Sequence, residues 1–484
     1  MDFKASRRTK LVCTIGPATA RRIAALAVAG MDVARINFAH GTVASHAAAA
    51  RAVRRVAAAG DQPLALLTDI AGPKIRLGPV AGGFVELAAG QPFLLRVSGK
   101  GSTAGDRSGA RISYRRIAVD VKVGDPIYLA DGAAELRVSG IDDEDGVRTE
   151  VVRGGTVRSG AGVAVPAARL STPALTARDR ADIPRAIAMG TTYVGQSFVR
   201  GAKDIATLRR LLGRDGPRIV AKIETRPAVE SFDEILEVAD AVMIARGDLG
   251  VEMPYEEVPL IQKQLVGRAL ERGVPTIVAT QMLESMIAAP RPTRAEASDV
   301  ANAVFDGADA IMLSGETAIG AHPLEAAETA VRIASLCEVR GAEYMTRRMS
   351  RPPGTETGAL AHAAVMLAEA DTRIAAVACY TRTGRTARIL SSFRPRVPIV
   401  AFTPDPDVLS LLALVNGVVP RLSGILDESD GLGRLNRLLG AARLVGDGAL
   451  VVLVSSTATS GAAPNLLGIE RVVVPDEPSG PRGK

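Results

Sequence analysis

The chain has 484 residues, of which 47% are hydrophobic and only 3% aromatic, and its formal net charge is +7. This length exceeds that of one ordinary domain, so about two to four domains are expected, with cores built mainly of Ala, Val, Leu and Ile. Scattered basic residues and sparse aromatics argue against nucleic-acid binding, whereas a modest positive charge suits a small anionic ligand.

The cysteines and the apolar runs bear on the compartment. Cys13, Cys337 and Cys379 are far apart in the sequence, which favours a reducing cytosol over a disulfide framework. The charged N-terminus is not followed by the apolar stretch of a signal peptide, and no apolar run has the length of a membrane span. We therefore expect a cytoplasmic protein without a membrane partner.

Eight short apolar runs end in polar or charged residues, and amphipathic helical segments mostly separate them. The runs are 11–17, 33–40, 64–70, 193–199, 218–224, 241–248, 276–280 and 310–317. The clearest helical segments are 43–59, 203–212, 256–271 and 295–305. Near-continuous apolar strands that alternate with helices are typical of a parallel sheet covered on both faces. Eight such units predict an α/β fold, a (β/α)8 TIM barrel, in which the residues at the carboxyl ends of the strands carry the chemistry.

The strand–helix alternation is interrupted once. Gly-rich turns and short β-like runs occupy the interruption, at 84–87, 93–97, 125–132, 133–138 and 148–155. They predict a small all-β lid domain inserted after the third barrel strand. A new α/β pattern follows the barrel, with strands at 375–381, 397–403, 449–456 and 470–475 and helices at 358–370, 384–392 and 405–414. The predicted boundaries are 1–73 and 170–344 for the barrel, 74–169 for the lid and 345–484 for the last domain, with a linker at 345–358.

The fifth and sixth runs carry the clearest chemical pattern. Lys222 and Glu224 are two positions apart at a strand end, so their side chains point the same way. Gly247 and Asp248 end the next strand, where backbone amides could hold an anion. Two carboxylates from adjacent strands, Glu224 and Asp248, together with substrate oxygens form a plausible Mg²⁺ site, because this metal takes few protein ligands. The alternatives without a ligand are a surface ion pair between Lys222 and Glu224 and an ordinary turn at Gly247 and Asp248.

Hydroxyl and carboxylate groups end the last two barrel strands. Thr280 ends the seventh run, and Thr293 is a predicted N-cap with Glu296 as its capping-box partner. Ser314 and Glu316 lie at the end of the eighth run, where they could relay protons or cap a helix. His40 is as compatible with a structural role as with a functional one.

A polar loop in the last domain precedes a predicted helix. Its hydroxyl and guanidinium groups, with the helix N-terminus, could cradle a phosphate, although simple capping would use the same residues. The loop residues are Thr381, Thr383, Arg385 and Thr386.

These segments together resemble one family. The matching segments read TKLVCTIGP, GMDVARINFAHG, IVAKIE, MIARGDLG, ATQMLESM, RPTRAEASDVANAVFDGADAIMLSGET and HPLEA, and they resemble pyruvate kinase over nearly the whole barrel. The resemblance implies that phosphoenolpyruvate and ADP react to give pyruvate and ATP in glycolysis. It also implies a lid domain, a C-terminal effector domain with a phosphorylated allosteric effector, and a homotetramer.

The resemblance further implies a role for each matched residue. Glu224 and Asp248 hold the divalent metal, Mg²⁺ or Mn²⁺, and Lys222 stabilises charge on the transferring phosphoryl group. The amides near Gly247 and Asp248, with Thr280, bind substrate oxygens. This assignment agrees with the general chemistry, since phosphoryl transfer needs positioning and cations more than a nucleophile.

The remaining matched residues lie on the phosphate, nucleotide and proton-transfer sides of the implied site. Arg35 bridges the phosphates, while Asn37, His40 and Arg76 line the nucleotide. Ser314 and Glu316 match the polar end that is invoked in protonating the enolate.

The chain departs from the family at the monovalent-cation site. Pyruvate kinases commonly bind K⁺ through an Asn, a Ser, an Asp and a Thr carbonyl; here Asn37 and Asp69 remain, but Ala39 and Ile70 replace the Ser and the Thr. Lys74 stands where K⁺-dependent members have Glu. An ammonium group can stand in for a bound cation near Asp69, so we expect that K⁺ is not required.

The lid also departs from the family, because Gly160, Ala161 and Ala164 stand at the end where Lys and Asn are usual, and Ala71 replaces another Lys. Two alternatives to an active pyruvate kinase therefore remain at this point. One is a catalytically weak relative that binds phosphorylated metabolites. The other is a different enolpyruvate enzyme on a TIM barrel, such as a metal-dependent lyase or aldolase, which would not explain the lid or the last domain.

Overall fold

A computed structural model describes residues 7–60, 63–97, 104–142, 146–165, 170–345, 355–424, 431–455 and 464–474. Strands and helices are numbered here in chain order. The described residues divide into two compact units. The first unit comprises Met1–Thr68, Met189–Val194 and Val266–Lys484, and the second comprises Asp69–Ala188 and Gly195–Leu265. The four domain segments expected from the sequence stay a prediction, and most of the expected linker lies outside the described residues.

Eight strands form a closed barrel, which confirms the predicted fold class. Its order is β1-β16-β15-β14-β13-β12-β3-β2, and the pairs β1–β2, β1–β16, β13–β14 and β15–β16 are parallel. The strands are β1 (Lys10–Thr14), β2 (Val33–Asn37), β3 (Ala65–Ile70), β12 (Tyr193–Gln196), β13 (Arg218–Ile223), β14 (Ala241–Ala245), β15 (Thr276–Ala279) and β16 (Ala310–Leu313). Each predicted run overlaps one of these strands, although β1 begins at Lys10, one residue before its run. Most of the polar residues that end the runs follow the strands.

Helices separate these strands, and their starts are set by local capping. Thr42 and Thr293 each accept a hydrogen bond from the third residue of the helix and form complete capping boxes with Ser45 and Glu296, which confirms the predicted N-cap at Thr293. The helices that accompany the barrel strands are α1 (Ile23–Ala29), α2 (Val43–Ala59), α4 (Ala177–Ala188), α5 (Ala202–Leu212), α6 (Arg226–Glu230), α7 (Phe232–Val238), α8 (Arg246–Glu252), α9 (Val258–Arg272), α10 (Arg294–Phe305), α11 (Gly315–Ala318) and α12 (Pro323–Arg340).

The inserted segment folds as small antiparallel and mixed sheets around an apolar core that includes Phe93, Leu95 and Leu136. One sheet has the order β10-β4 and the other β11-β7-β8-β9-β5-β6. The strands are β4 (Phe84–Leu87), β5 (Pro92–Arg96), β6 (Gly109–Arg111), β7 (Pro126–Leu129), β8 (Ala134–Asp142), β9 (Gly146–Arg153), β10 (Gly155–Arg158) and β11 (Val163–Ala164). The segment is not purely β, because one helical turn, α3 (Ile117–Asp120), buries Ile117 against the same core.

The last segment is an α/β domain with a five-stranded sheet in the order β19-β18-β17-β20-β21. The elements are β17 (Ile374–Tyr380), β18 (Ile399–Thr403), β19 (Val418–Leu422), β20 (Leu450–Ser455), β21 (Leu466–Arg471), α13 (Glu356–Ala370), α14 (Arg385–Ser392), α15 (Pro406–Leu412) and α16 (Gly431–Ala441).

The sequence patterns misplace this domain's edge strands. The run at 470–475 was expected to form a strand, whereas β21 ends at Arg471 and pairs antiparallel with β20. The patterns do not predict β19, which contains Pro420. Both are edge strands, where a half-exposed face and a tolerated proline blur the apolar signal. Within the described residues, no helix is long and apolar enough to cross a membrane.

Candidate active site

In the second unit, a buried lysine joins two carboxylates and a hydroxyl. The Nζ atom of Lys222 lies 2.8 Å from Oε1 of Glu224 and 3.3 Å from Oδ1 of Asp69, and it donates a 2.8 Å hydrogen bond to Oγ of Ser197. Lys222 is 8% exposed, Glu224 2% and Asp69 1%. The pattern at β13 therefore produces a desolvated charge cluster rather than a surface ion pair.

Burial raises the pKa of Glu224, and the nearby charge of Asp248 raises it further, against the opposing effect of Lys222. The second oxygen of Glu224, Oε2, accepts a 2.8 Å hydrogen bond from the backbone N–H of Phe198. Phe198 has a φ of 55°, an uncommon left-handed conformation for a bulky residue. The loop after β12 is thus bent to satisfy this carboxylate.

Asp248 lies in the first turn of α8, close behind Gly247, and both are half-buried. Asp248 and Glu224 line one cavity of about 50 Å³, together with Lys74 and Asp131. The two carboxylates follow the paired strands β13 and β14, as the sequence predicts. A grouping of three or more His, Cys, Asp or Glu suited to a metal does not occur among the described residues.

These two carboxylates fit a divalent cation. Burial and the nearby charge of Asp248 disfavour the ionised form of Glu224, and a bound cation would offset both effects. Magnesium is commonly held by one or two carboxylates plus phosphate oxygens and water.

The residues predicted for a monovalent-cation site are partly brought together. Asp69 is paired with Lys222, and the carbonyl oxygen of Ile70 accepts a 2.8 Å hydrogen bond from Oγ of Ser197. Lys74 is exposed at the cavity that Glu224 and Asp248 line. Ser197 is therefore a residue that the sequence patterns missed; the only signal was a hydroxyl inside the fourth apolar run, directly after the last residue of β12.

Asp131 is a second residue that the sequence patterns missed. It has a φ of 54°, and its neighbours Ala130 and Gly132 have φ values of 52° and 90°. Consecutive left-handed residues are strained and often occur at functional sites. The Ala-Asp-Gly sequence was a turn signal, but nothing in it indicated that the carboxylate would line the cavity.

Arg76, predicted to line the nucleotide, donates a 3.2 Å hydrogen bond from Nη1 to the carbonyl oxygen of Gly160. Gly160 has a φ of 75° and stands at one of the lid positions where the family resemblance leads one to expect a lysine. The guanidinium of Arg76 is thus directed to the altered turn of the lid.

In the first unit, Arg35 is buried in the middle of β2 and donates a 3.0 Å hydrogen bond from Nη1 to Oγ1 of Thr14 on β1. The side-chain oxygen of Asn37 accepts from the backbone N–H of Ala39 at 3.0 Å. His40 is exposed, and its carbonyl oxygen accepts a 2.6 Å hydrogen bond from the His46 ring. Asn37 and His40 thus belong to one tight turn after β2.

Two consecutive residues after β15 are left-handed, with φ values of 70° at Thr280 and 54° at Gln281. This conformation is a genuine outlier for a β-branched residue such as Thr280. Strain of this kind persists where the surrounding structure enforces it, commonly at ligand sites.

Glu316 is 3% exposed, and burial raises its pKa. Its two oxygens accept backbone hydrogen bonds from Ser314 at 2.7 Å and Leu283 at 3.0 Å. The Ser314 side chain does not cap α11, so the capping alternative holds for the Glu316 carboxylate and not for the Ser314 hydroxyl.

The polar loop of the last domain turns at Gly384, which has a φ of 77° and precedes α14. Thr381 and Thr386 are buried there, whereas Thr383 and Arg385 are exposed. The phosphate cradle expected at this loop stays a prediction.

Comparison with known proteins identifies the family. The family model for the pyruvate kinase barrel domain matches residues 6–327, and that for the pyruvate kinase alpha/beta domain matches residues 358–469. The chain belongs to the pyruvate kinase family. It is accordingly a phosphotransferase whose substrates are phosphoenolpyruvate and ADP, in a family that uses a divalent metal.

Curated relatives agree over almost the full length. The pyruvate kinase of Mycobacterium tuberculosis is 40% identical over 473 residues, which cover 96% of this chain and 99% of that protein. The pyruvate kinase of Clostridium perfringens is 38% identical, with 96% and 100% covered. That of Geobacillus stearothermophilus is 41% identical, with 88% of this chain and 73% of that protein covered.

Proposed function

We propose that this pyruvate kinase is an active glycolytic enzyme of the cytosol that requires Mg²⁺ or Mn²⁺ but not K⁺. The observation that carries the proposal is the buried cluster of Lys222 with Asp69 and Glu224, at 3.3 and 2.8 Å. A desolvated ammonium stabilises developing negative charge far more strongly than one in water. Such a cluster has little use in a protein that only binds metabolites.

Glu224 and Asp248 would hold the divalent cation. When bound, this cation would neutralise charge on the phosphoryl oxygens as transfer proceeds. Asp69 and the Ser197 hydroxyl would hold the Lys222 ammonium in place, where it would stabilise negative charge on the transferring phosphoryl group.

The remaining roles follow the family pattern. Thr280 and the amides near Gly247 would bind carboxylate and phosphate oxygens of phosphoenolpyruvate, and Arg35 would bridge the phosphates. ADP would contact Asn37, His40 and Arg76. Ser314 would serve in protonation of the enolate, with its backbone N–H held by the Glu316 carboxylate. The Ser314 hydroxyl is not used to cap α11, which supports this assignment.

One assay tests the activity against its alternatives. Pyruvate formation from phosphoenolpyruvate with Mg²⁺ is measured with and without ADP. ADP-dependent turnover supports the proposal. Turnover without ADP would favour a lyase or hydrolase. No turnover would favour the metabolite-binding relative, which is the second candidate because the usual lid Lys and Asn side chains are replaced at Gly160, Ala161 and Ala164.

The proposal that K⁺ is not required rests on Lys74 and on the altered residues at the family's monovalent-cation site. Lys74 supplies a positive charge to the cavity that Glu224, Asp248 and Asp131 line, and the Ile70 carbonyl is already hydrogen-bonded to Ser197. Equal rates in sodium, potassium and tetramethylammonium buffers are expected. Strong activation by K⁺ alone would refute this part of the proposal.

We also propose a homotetramer with a phosphorylated effector at Thr381, Thr383, Arg385 and Thr386. The buried hydroxyls of Thr381 and Thr386 beside the start of α14 support a phosphate there. Size-exclusion chromatography with light scattering tests the assembly. An unchanged KM for phosphoenolpyruvate across a panel of sugar phosphates and nucleotides would count against the effector.

A further inference from the structure

Two glycine turns lead into β15 and β16, and arginines of the C-terminal domain bind both. Arg394 donates to the carbonyl oxygen of Gly307 from Nη2 at 2.8 Å and from Nε at 3.3 Å. Arg388, on α14, donates from Nη2 to the carbonyl oxygen of Gly273 at 3.3 Å. Gly273 and Gly307 have φ values of 65° and 91°, so these turns depend on backbone conformations that side chains rarely adopt.

Asp309 joins the beginnings of both strands to the same domain. Its Oδ2 atom accepts from Nη2 of Arg394 at 2.9 Å and from the backbone N–H of Thr276 at 3.0 Å. Its Oδ1 atom accepts from the backbone N–H of Asn416 at 3.1 Å. Thr276 begins β15 and Asp309 directly precedes β16, so one carboxylate holds both strands to the loop before β19.

The backbone of Arg394 shows that its side chain is needed at this place. Arg394 follows the end of α14 with a φ of 50°, where glycine is strongly preferred. A non-glycine residue there is strained. The guanidinium is 8% exposed, and it also donates to the carbonyl oxygen of Ser391 at 2.7 Å. The buried hydrogen bonds from the Arg394 guanidinium to Gly307 and Asp309 therefore offset the strain in its backbone.

The two strands whose beginnings Arg394 and Asp309 contact, β15 and β16, are each followed by a proposed site residue. β15 and β16 pair in register from Ile277↔Ala310 to Ala279↔Met312. Thr280 follows β15, and Ser314 follows β16. Each strand has four residues, and a short, fully buried strand is a rigid connection.

We propose that Arg394, acting through Asp309, is a positioning residue for the reaction. By fixing the beginnings of β15 and β16, it sets where Thr280 and Ser314 stand at the other ends. This inference rests on the proposed function for its kinetic consequence only, because its structural consequence can be measured directly. A domain interface without this role would affect stability but not the strand ends.

The experiment compares Arg394→Lys with Arg396→Lys. Arg396 is a matched control, since it donates to the carbonyl oxygens of Ala368 and Asp371, each at 2.7 Å, wholly inside the C-terminal domain. Lysine keeps the charge at Arg394 but cannot reach Gly307 and Asp309 with a planar fork. Hydrogen–deuterium exchange is followed at 276–280 and 310–314, and kcat and KM are measured for both substrates.

Faster exchange in both segments is expected for Arg394→Lys and not for Arg396→Lys. A fall in kcat of roughly 2- to 30-fold is expected with it, with the KM for ADP little changed. Exchange of the methyl protons of pyruvate in D₂O should slow by a similar factor, because it reports the enolate step alone. Unchanged exchange at both segments, or the same change in both variants, would overturn the proposal.

Two further results keep the tests separate. If wild-type protein lacks turnover, the proposed function fails, and the amide exchange still decides the positioning role. If Arg394→Lys does not fold, the double variant Arg394→Gly with Asp309→Asn removes both charges and suits the left-handed backbone. Wild-type amide exchange at the two segments in that variant would refute the proposal, and faster exchange would support it.

Discussion

At the scale of single residues, the site is governed by charges that are removed from water. Lys222 faces both Asp69 and Glu224, at 3.3 and 2.8 Å, so these three side chains carry a net negative charge when both acids are ionised. Burial raises the pKa of Glu224, and the nearby charge of Asp248 adds to this effect. The excess of negative charge favours binding of a further cation. The composition of the cluster, rather than any single residue, prepares it for a metal and a phosphate.

Replacing Lys222 by Met is expected to abolish pyruvate formation. It should also lower the free energy of unfolding by about 3–5 kcal/mol, because two buried carboxylates lose the ammonium group that pairs with both of them. Urea unfolding and the phosphoenolpyruvate assay measure the two effects. Lys203→Met, at an exposed lysine of α5, is the control and should match wild type. Turnover near the wild-type rate in Lys222→Met would contradict the assignment.

A second residue-scale prediction concerns the monovalent cation. Replacing Lys74 by Glu, together with Ala39→Ser, introduces the Glu and the Ser that K⁺-dependent members of the family have at these positions. The double variant should be slow in tetramethylammonium buffer and should be activated about tenfold or more by K⁺, since a lost tethered charge must be supplied from solution. Rates are compared across the three cation buffers. If activation by K⁺ is absent while turnover persists, Lys74 does not replace the ion.

At the scale of elements, carboxylates fix where helices and strands begin. Glu296 completes the capping box of α10 by accepting from Thr293 N–H at 2.8 Å, and it also accepts from the backbone N–H of Ser285 at 2.7 Å. One side chain thus joins the turn after β15 to the next helix. Burial raises the pKa of Glu296, but hydrogen bonds from Ser285 and Thr293 outweigh it and hold the pKa below its ordinary value of 4.5.

The Glu296 carboxylate should therefore stabilise the protein above pH 4.5, its ordinary pKa, and lose this effect as pH falls through the lower pKa of the folded state. Glu296→Gln should cost about 1 kcal/mol at neutral pH. The difference from wild type should shrink in acid. Urea unfolding at a series of pH values measures it, with Glu284→Gln at an exposed neighbour as the control. A difference that does not vary with pH would contradict the prediction.

At the scale of the whole molecule, the inserted domain is held at both of its connections. The carboxylate of Asp179 accepts from the backbone N–H of Gly72 at 3.1 Å. Arg200 donates to the carbonyl oxygens of Leu170 at 2.6 Å and Thr172 at 2.9 Å. The family resemblance leads us to expect that the inserted domain closes as a lid. These hydrogen bonds constrain the two short segments about which such a lid would turn.

Replacing Arg200 by Met should change kcat and the KM for ADP together, by about 3- to 10-fold, because residues at such connections set how a lid orders over its ligand. Steady-state kinetics with ADP varied at saturating phosphoenolpyruvate measure both constants. Arg210→Met, at an exposed arginine of α5, should leave them unchanged. Wild-type values for Arg200→Met would show that these bonds do not govern the lid.

The two levels of description differ most clearly at particular residues. The eight barrel strands follow from apolar runs, because a strand covered on both faces must be apolar along its length. Lys222, Glu224 and Asp248 stand out because charges rarely follow such strands. Ser197 and Asp131 do not stand out, since a single hydroxyl or a turn acid has no pattern of its own.

The sequence by itself determined the barrel, the inserted and C-terminal domains, the family and the polar residues that follow each strand, because periodicity and motif spacing are local properties. Only the tertiary structure decided which charges meet. Lys222 pairs with Asp69, the Ser197 hydroxyl donates to the carbonyl oxygen of Ile70, and Arg394 pairs with Asp309. These contacts join residues far apart in the chain, and their strength depends on burial, which no local pattern records.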